Sequence, residues 1–365
     1  MTATETTTRL SLVRFRAGLL VLTGVVLASS LWIFVSVWTT AGTVRDRTAQ
    51  AILEVAAARS ALVAADRAAI TSFRSGEATL AGPGQEYANA ITQASQSLAR
   101  VAELNQAGDA GTSSLQVVEG LLAAYSGSVG QADAHFRQAD SAVLGAADLW
   151  YASRLLHAPG GVLVELESLQ GLQRQALADQ ISWDGMGPWW IGVWLVPPVL
   201  LLAVLGWTQH YLRKQFRRVL NAPLLGATAL AVGVGFAMLL TFFMHRRLED
   251  VSSQVDVTIS GWEARISTED ALGQRDLAAL VRQRCGRDGG CGNTVDTFTA
   301  GLRQDVTPAP DQKTLTAEVK AVNDAATGAA ESGGLEFLIP AAGLAVGLLI
   351  LFGLHARIDE YRYQA

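Results

Sequence analysis

Four stretches of the chain are apolar over roughly the 20 residues that a helix needs to cross about 30 Å of hydrocarbon. No other feature of the sequence restricts the fold as strongly. They are residues 17–40, 188–207, 223–244 and 335–354. A backbone in lipid must satisfy its own hydrogen bonds, so a run of this kind folds as a helix. None of the four carries a charge near its middle. Trp32 and Trp38 close the first, and Trp189, Trp190 and Trp207 bracket the second, as residues of an interfacial belt do. The composition agrees, with 50% hydrophobic and only 17% charged residues. The first stretch could be a cleaved signal peptide, since Leu27-Ala28-Ser29 loosely resembles a cleavage site. The run continues past it through Val35, beyond the ~7–15 residues of a signal core, so an uncleaved anchor is expected.

Short basic segments set the expected orientation. Residues 1–16 carry Arg9, Arg14 and Arg16; residues 208–222 carry Arg213, Lys214, Arg217 and Arg218; residues 355–365 carry Arg357 and Arg362. The positive-inside rule places all three in the cytoplasm, and residues 41–187 and 245–334 outside. Arg246 and Arg247 run against this order, but long loops translocate largely regardless of charge. The loop arginines and Lys214 are candidates for contact with anionic lipid or a cytoplasmic partner.

Periodicity makes both outer segments helical, so the fold class is all-α: four transmembrane helices with two extracytoplasmic helical bundles. Leu115, Val118, Leu122, Tyr125, Val129, Ala132 and Phe136 recur at threes and fours. Breakers at Gly82-Pro83-Gly84, at Gly108-Asp109-Ala110-Gly111 and near Asp140 divide residues 41–187 into helices at about 43–75, 84–107, 112–138 and 141–186. Short connections make these an up-down-up-down bundle. In residues 245–334, Val251, Val255, Ile259, Trp262 and Ile266 describe a long helix. A cysteine loop, a short helix near 294–305 and a last helix from Asp311 follow. Cys285 and Cys291 flank Gly-Arg-Asp-Gly-Gly, and an oxidising compartment favours a disulfide clip there.

Two charged residues fall on an apolar seam. Ile52, Val55, Arg59, Leu62, Asp66, Ala69 and Phe73 keep heptad spacing, which points Arg59 and Asp66 inward. They could contact a ligand, satisfy an internal pair, or lie in water if the Ala-rich helix is rotated.

Residues 65–76, with Gly76-Glu77 as the turn and Tyr87 beyond it, resemble the first hairpin of extracytoplasmic four-helix-bundle sensor domains on histidine kinases and chemoreceptors. A second resemblance rests on Tyr125-Ser126-Gly127-Ser128-Val129, Ala132, Arg137 and the stretch from Leu144 through Trp150-Tyr151-Ala152-Ser153 to Pro159. It is similar to four-span actinobacterial membrane proteins of the GlnX family, whose architecture matches over the whole chain. That resemblance implies a relay of extracellular amino-acid availability from an amino-acid-binding lipoprotein to the cytoplasmic serine/threonine protein kinase G.

The five histidines are dispersed, and no nucleophile, base and orienter come together, so no enzyme activity, cofactor or metal is expected. The net charge of −5 is too mild to argue for nucleic acid. A transporter would show intramembrane ionisable groups, which these stretches lack. Gly343-Leu-Ala-Val-Gly347 matches a small-xxx-small packing motif, within one chain or between two copies of a homo-oligomer. The reading is a signalling adaptor or receptor. Direct sensing by the outer bundle and a structural envelope scaffold are the alternatives.

Overall fold

A computed structural model describes residues 3–76, 82–138, 141–181, 189–216, 222–285, 297–298, 300–302, 312–330 and 335–360. Among these, 94% are helical and none lies in a strand, as the periodicity requires. The helices are α1 (Ala3–Thr43), α2 (Ala49–Ser75), α3 (Gln85–Leu104), α4 (Gly108–Phe136), α5 (Ala142–His157), α6 (Val162–Ile181), α7 (Trp189–Phe216), α8 (Ala222–Cys285), α9 (Gln312–Ala330) and α10 (Leu335–Glu360). A single π-helical turn, Val44–Thr48, joins α1 to α2 without breaking the helix, because Thr43 and Ala49 on either side keep helical dihedrals.

The chain folds into two compact units. One comprises residues 1–42, 181–249 and 327–365. Its core is apolar and drawn from all four apolar stretches: Leu19 and Val26 of α1, Leu201 and Leu205 of α7, Ala227, Ala231 and Val234 of α8, Val346 and Ile350 of α10. Its outer face is apolar as well. Val21, Trp207, Phe236, Leu344 and Phe352 are each more than 60% exposed, which no water-facing helix cluster of this size tolerates. Among the described residues, one helix, from Ala17 onward, is long and apolar enough to cross a membrane. The other three carry shorter apolar helical segments, Leu195–His210, Leu225–Leu240 and Pro340–Phe352. Among the described residues, only the first of the four expected spans is met at full length. Gly343 lies so close to α1 that a Cβ there would overlap the Leu27 side chain, so half of the small-xxx-small motif is used within the chain. Gly347 has open space beside it.

The other unit comprises residues 43–180 and 250–326. The expectation of two separate outer bundles is corrected here. Leu277, Leu280 and Val281 of α8 belong to the same core as Val55, Leu62, Phe73, Tyr125 and Leu149, so α8 completes the bundle and forms no module of its own. The reason is the seam of α8, which continues past Ile266 and leaves an apolar face that must be covered.

Pairings fix the directions. Thr48 Oγ1 donates to Gln180 Oε1 at 2.8 Å, and Arg59 Nη1 to Gln170 Oε1 at 2.9 Å, so α6 runs antiparallel to α2. Phe73 stacks on Phe136 with centroids 4.7 Å apart, while Tyr125 reaches Asp66, so α4 is parallel to α2. Arg100 pairs with Glu54 at 2.9 Å, consistent with an antiparallel α3. Arg67 pairs with Glu269 and Arg74 with Asp276, one heptad on in each helix, so α8 runs parallel to α2.

The fourth bundle helix is broken where sequence reading expected it continuous. Pro159 pushes Ala158 to an extended conformation (ψ 160°), and Gly160 takes φ +77°. At Gly161 a Cβ would come within 2.9 Å of three backbone carbonyl oxygens, so the joint between α5 and α6 requires a glycine there. The third helix also begins at Gly108, four residues earlier than the breaker implied, because Asn105 Oδ1 accepts the Ala107 N–H at 3.0 Å and pins the turn. Of the second segment's other elements, the helix from Gln312 is present as α9, and most of the short helix near 294–305 lies outside the described residues.

Candidate functional site: a buried charged layer beside a cleft

Every member of the α2 seam is buried, the two charges included: Arg59 is 8% exposed and Asp66 2%. The solvated alternative for these residues is therefore excluded. They do not pair with each other; each organises its own layer.

Asp66 sits at the centre. Tyr125 Oη donates to one carboxylate oxygen at 3.3 Å and Ser153 Oγ to the other at 2.9 Å. Gln274 Nε2 of α8 donates in turn to Ser153 Oγ at 3.0 Å. His157, one turn beyond Ser153 on α5, donates from Nδ1 to the Ser153 carbonyl at 2.8 Å. Its Nε2 lies 2.8 Å from Asp270 Oδ1. The Ser153 carbonyl at Nδ1 and the Asp270 carboxylate beside Nε2 both favour the doubly protonated ring, although the Gln274 amide nitrogen also approaches it at 3.3 and 3.5 Å. Burial alone would lower its pKa. The hydrogen bond to Asp270 and the charges of Asp66 and Asp270 outweigh it and raise the value to about 9. Burial pushes the Asp66 carboxyl above the ordinary range, against the pull of His157 and the two hydroxyls. It also raises Tyr125 well above a free phenol, with the Asp66 charge adding to it.

Arg59 is less well served. Its closest polar partner is the neutral Gln170, while Glu167 and Glu263 approach only to 3.6 and 4.0 Å and are themselves largely exposed. Burial consequently lowers its pKa, with the two carboxylates opposing. Its Nε and Gln170 Nε2 are buried without a hydrogen-bond partner. A third polar layer lies between α6 and the α3–α4 turn, where the fully buried Gln173 donates to Asn105 Oδ1 at 2.7 Å.

Beside the Asp66 layer opens a cleft of about 400 Å³. Ser153, His157 and Gln274 border it, Trp150, Leu277 and Phe298 supply apolar wall, and Ala158 and Pro159 of the α5–α6 break form part of its rim. The Arg154 guanidinium lies 5.0 Å over the Trp150 ring.

The sequence had singled out Asp66 and Arg59 but not His157, Asp270 or Gln274. A signal was present: the α8 seam extended by two turns from Ile266 passes through Asp270 and Gln274. Of the remaining candidates, Arg213 and Lys214 fall in α7 but their side chains are outside the described residues, as are Arg217, Arg218 and Cys291 altogether. Cys285 ends α8 and packs against the bundle core.

Residues 40–182 match the family described as the actinobacterial sensor domain. The match covers α2 to α6 and suggests a sensing or signalling role for this part of the chain. No curated protein and no solved structure matches the chain. Residues 40–182 are thus similar to an actinobacterial sensor domain, and the apolar N-terminal helix that leads into them suggests membrane association.

Proposed function

We propose that the protein is a four-span membrane sensor whose bundle lies outside the cytoplasm and whose response appears at the basic segment 208–222, which begins within the end of α7. One observation carries the reading. Asp66 of α2 and Asp270 of α8 are joined through Ser153 and His157 of α5, and α2 and α8 are the helices whose chains continue from apolar stretches. Buried ion pairs and hydrogen bonds tolerate little separation. A shift of α5 must therefore be followed by α2 and α8 or break the network, and either outcome reaches the ends of those helices. The parallel course of α2 and α8 suits two spans that both leave the cytoplasm outward, and the apolar outer face of the other unit suits lipid. The pairing of Cys285 with Cys291 belongs to the same reading, and among the described residues no cysteine is free.

The test is a Lys214→Cys protein in right-side-out and inverted vesicles, labelled with an impermeant maleimide and read by mass spectrometry at that position. Labelling is expected only in inverted vesicles, with a rate that changes at least twofold when Asp66→Asn is added. Labelling from outside would overturn the topology; an unchanged rate in a folded Asp66→Asn protein would overturn the relay.

A second reading follows the GlnX-like resemblance: the bundle receives an amino-acid-binding lipoprotein and the basic segment docks a serine/threonine kinase, with no enzyme activity in the chain itself. It is favoured by where the resembling residues fall, since 144–159 form α5 and the rim of the cleft. Purification in mild detergent from native membranes is expected to recover both a solute-binding lipoprotein and a soluble kinase. Recovering neither would leave direct sensing by the bundle or a structural envelope scaffold.

A further inference from the structure

The charged layer uses Ser153 and His157 of α5, and Arg154, next to Ser153 in the chain, lines the same cleft toward its exposed rim. It is exposed, stacked on Trp150, and takes part in no ion pair among the described residues. A guanidinium held over an aromatic ring keeps its N–H donors free at the edge, the fork that receives a planar carboxylate. The cleft beside it has no acidic lining among the described residues. Asp270 is engaged by His157, and Asp66 lies behind Ser153 with both oxygens taken by hydroxyls. An anion thus finds a cation at the rim, whereas an ammonium group finds no counter-charge. Trp150 and Phe298 are half-buried, with Leu277 fully buried behind them, so the apolar surface open to a ligand body is that of the two rings. A space of about 400 Å³ falls within the range of small-molecule sites.

We propose that this cleft binds a small monocarboxylate with a flat apolar body, the carboxylate on the Arg154 guanidinium and the body against the rings of Trp150 and Phe298. The inference deepens the sensor reading and rests on it for the consequence of binding. Gln274 and Ser153, at the border of the cleft and in the Asp66 network, are the groups through which an occupant would reach α2 and α8.

Calorimetric titration of the full chain in nanodiscs, with empty nanodiscs subtracted, tests it with three probes: phenylacetate, its neutral isostere phenylacetamide, and phenylalanine. Phenylacetate is expected to bind at least tenfold more tightly than the amide, and phenylalanine to fall below phenylacetate because of its ammonium group. Arg154→Gln should weaken phenylacetate about tenfold or more and Arg154→Lys less. Arg137→Gln should leave binding unchanged, since Arg137 pairs with Asp133 of its own helix. Equal binding of acid and amide, retained phenylacetate affinity in a folded Arg154→Gln protein, or no phenylacetate heat at millimolar concentration would each overturn the proposal. The labelling response at position 214 needs no ligand. A failed titration with that response intact removes the ligand class alone, and the converse removes the relay and leaves the cleft.

Discussion

Phe73→Ala is expected to destabilise the bundle by about 3–5 kcal/mol, the range for emptying a fully buried aromatic site. Phe73 is 1% exposed and Phe136, its stacking partner, 7%. Their planes lie 21° apart, and the opposite flank of Phe136 rests on Gly145, where a Cβ would come within 2.7 Å of the ring. The site cannot collapse easily, because Phe136 is held between α2 and the backbone of α5 and the Arg284 guanidinium lies 5.8 Å from its ring. In a unit of this size the loss lowers the unfolding midpoint by roughly 10 °C, measured by circular dichroism in detergent. Phe136→Ala should cost a similar amount. The double variant should cost less than the sum of the two, because the residues share one contact. A loss below about 1 kcal/mol for Phe73→Ala would mean that the end of the bundle is not closed as described.

The same pair shows what a sequence of this kind discloses. Both phenylalanines end apolar seams written in threes and fours, and each seam residue named on α2 and on α4 is buried in the folded unit. Which face of a helix is covered follows from its own period. Which helix covers it does not: the seam of α8 is as regular as that of α4, yet nothing local says that it closes the bundle begun by α2. The pairing of His157 with Asp270 was invisible for that reason, and so was the cleft, which needs α5 and α8 side by side. The break at Pro159 was legible in principle. The apolar period resumes in phase after it, so Leu156 and Leu166 both reach the core and the interruption is masked. Asp66 was legible because a charge on a clean seam breaks the pattern; what it bonds to came only from the tertiary structure.

Raising the pH from 6.5 to above 9 is expected to destabilise the folded unit, with His157 as the principal cause. In the unfolded chain its pKa is about 6.5, and in the folded protein it rises to about 9. Between those values the folded state holds a proton that the unfolded state has released, so stability falls as pH rises. The contribution is fully present below 6.5 and gone once the pH has passed about 9. A shift of this size corresponds to an upper bound of about 3 kcal/mol, or a midpoint lowered by roughly 6–12 °C. Asp66 acts with the same sign, its contribution beginning at the ordinary carboxylate pKa, because its raised pKa makes ionisation less favourable in the folded state. His157→Gln should flatten the profile between pH 6.5 and 9. Asp270→Asn keeps an acceptor but removes the charge and the strongest raising influence, and burial then works against the cation. Its transition should move down by at least one pH unit, followed by the His157 ring resonances in NMR. Stability that rises with pH across this window, or an Asp270→Asn profile superimposable on the parent's, would show that the imidazolium is not held between Ser153 and Asp270. The coupling of α5 to α8, and with it the proposed relay, would then lose its physical basis.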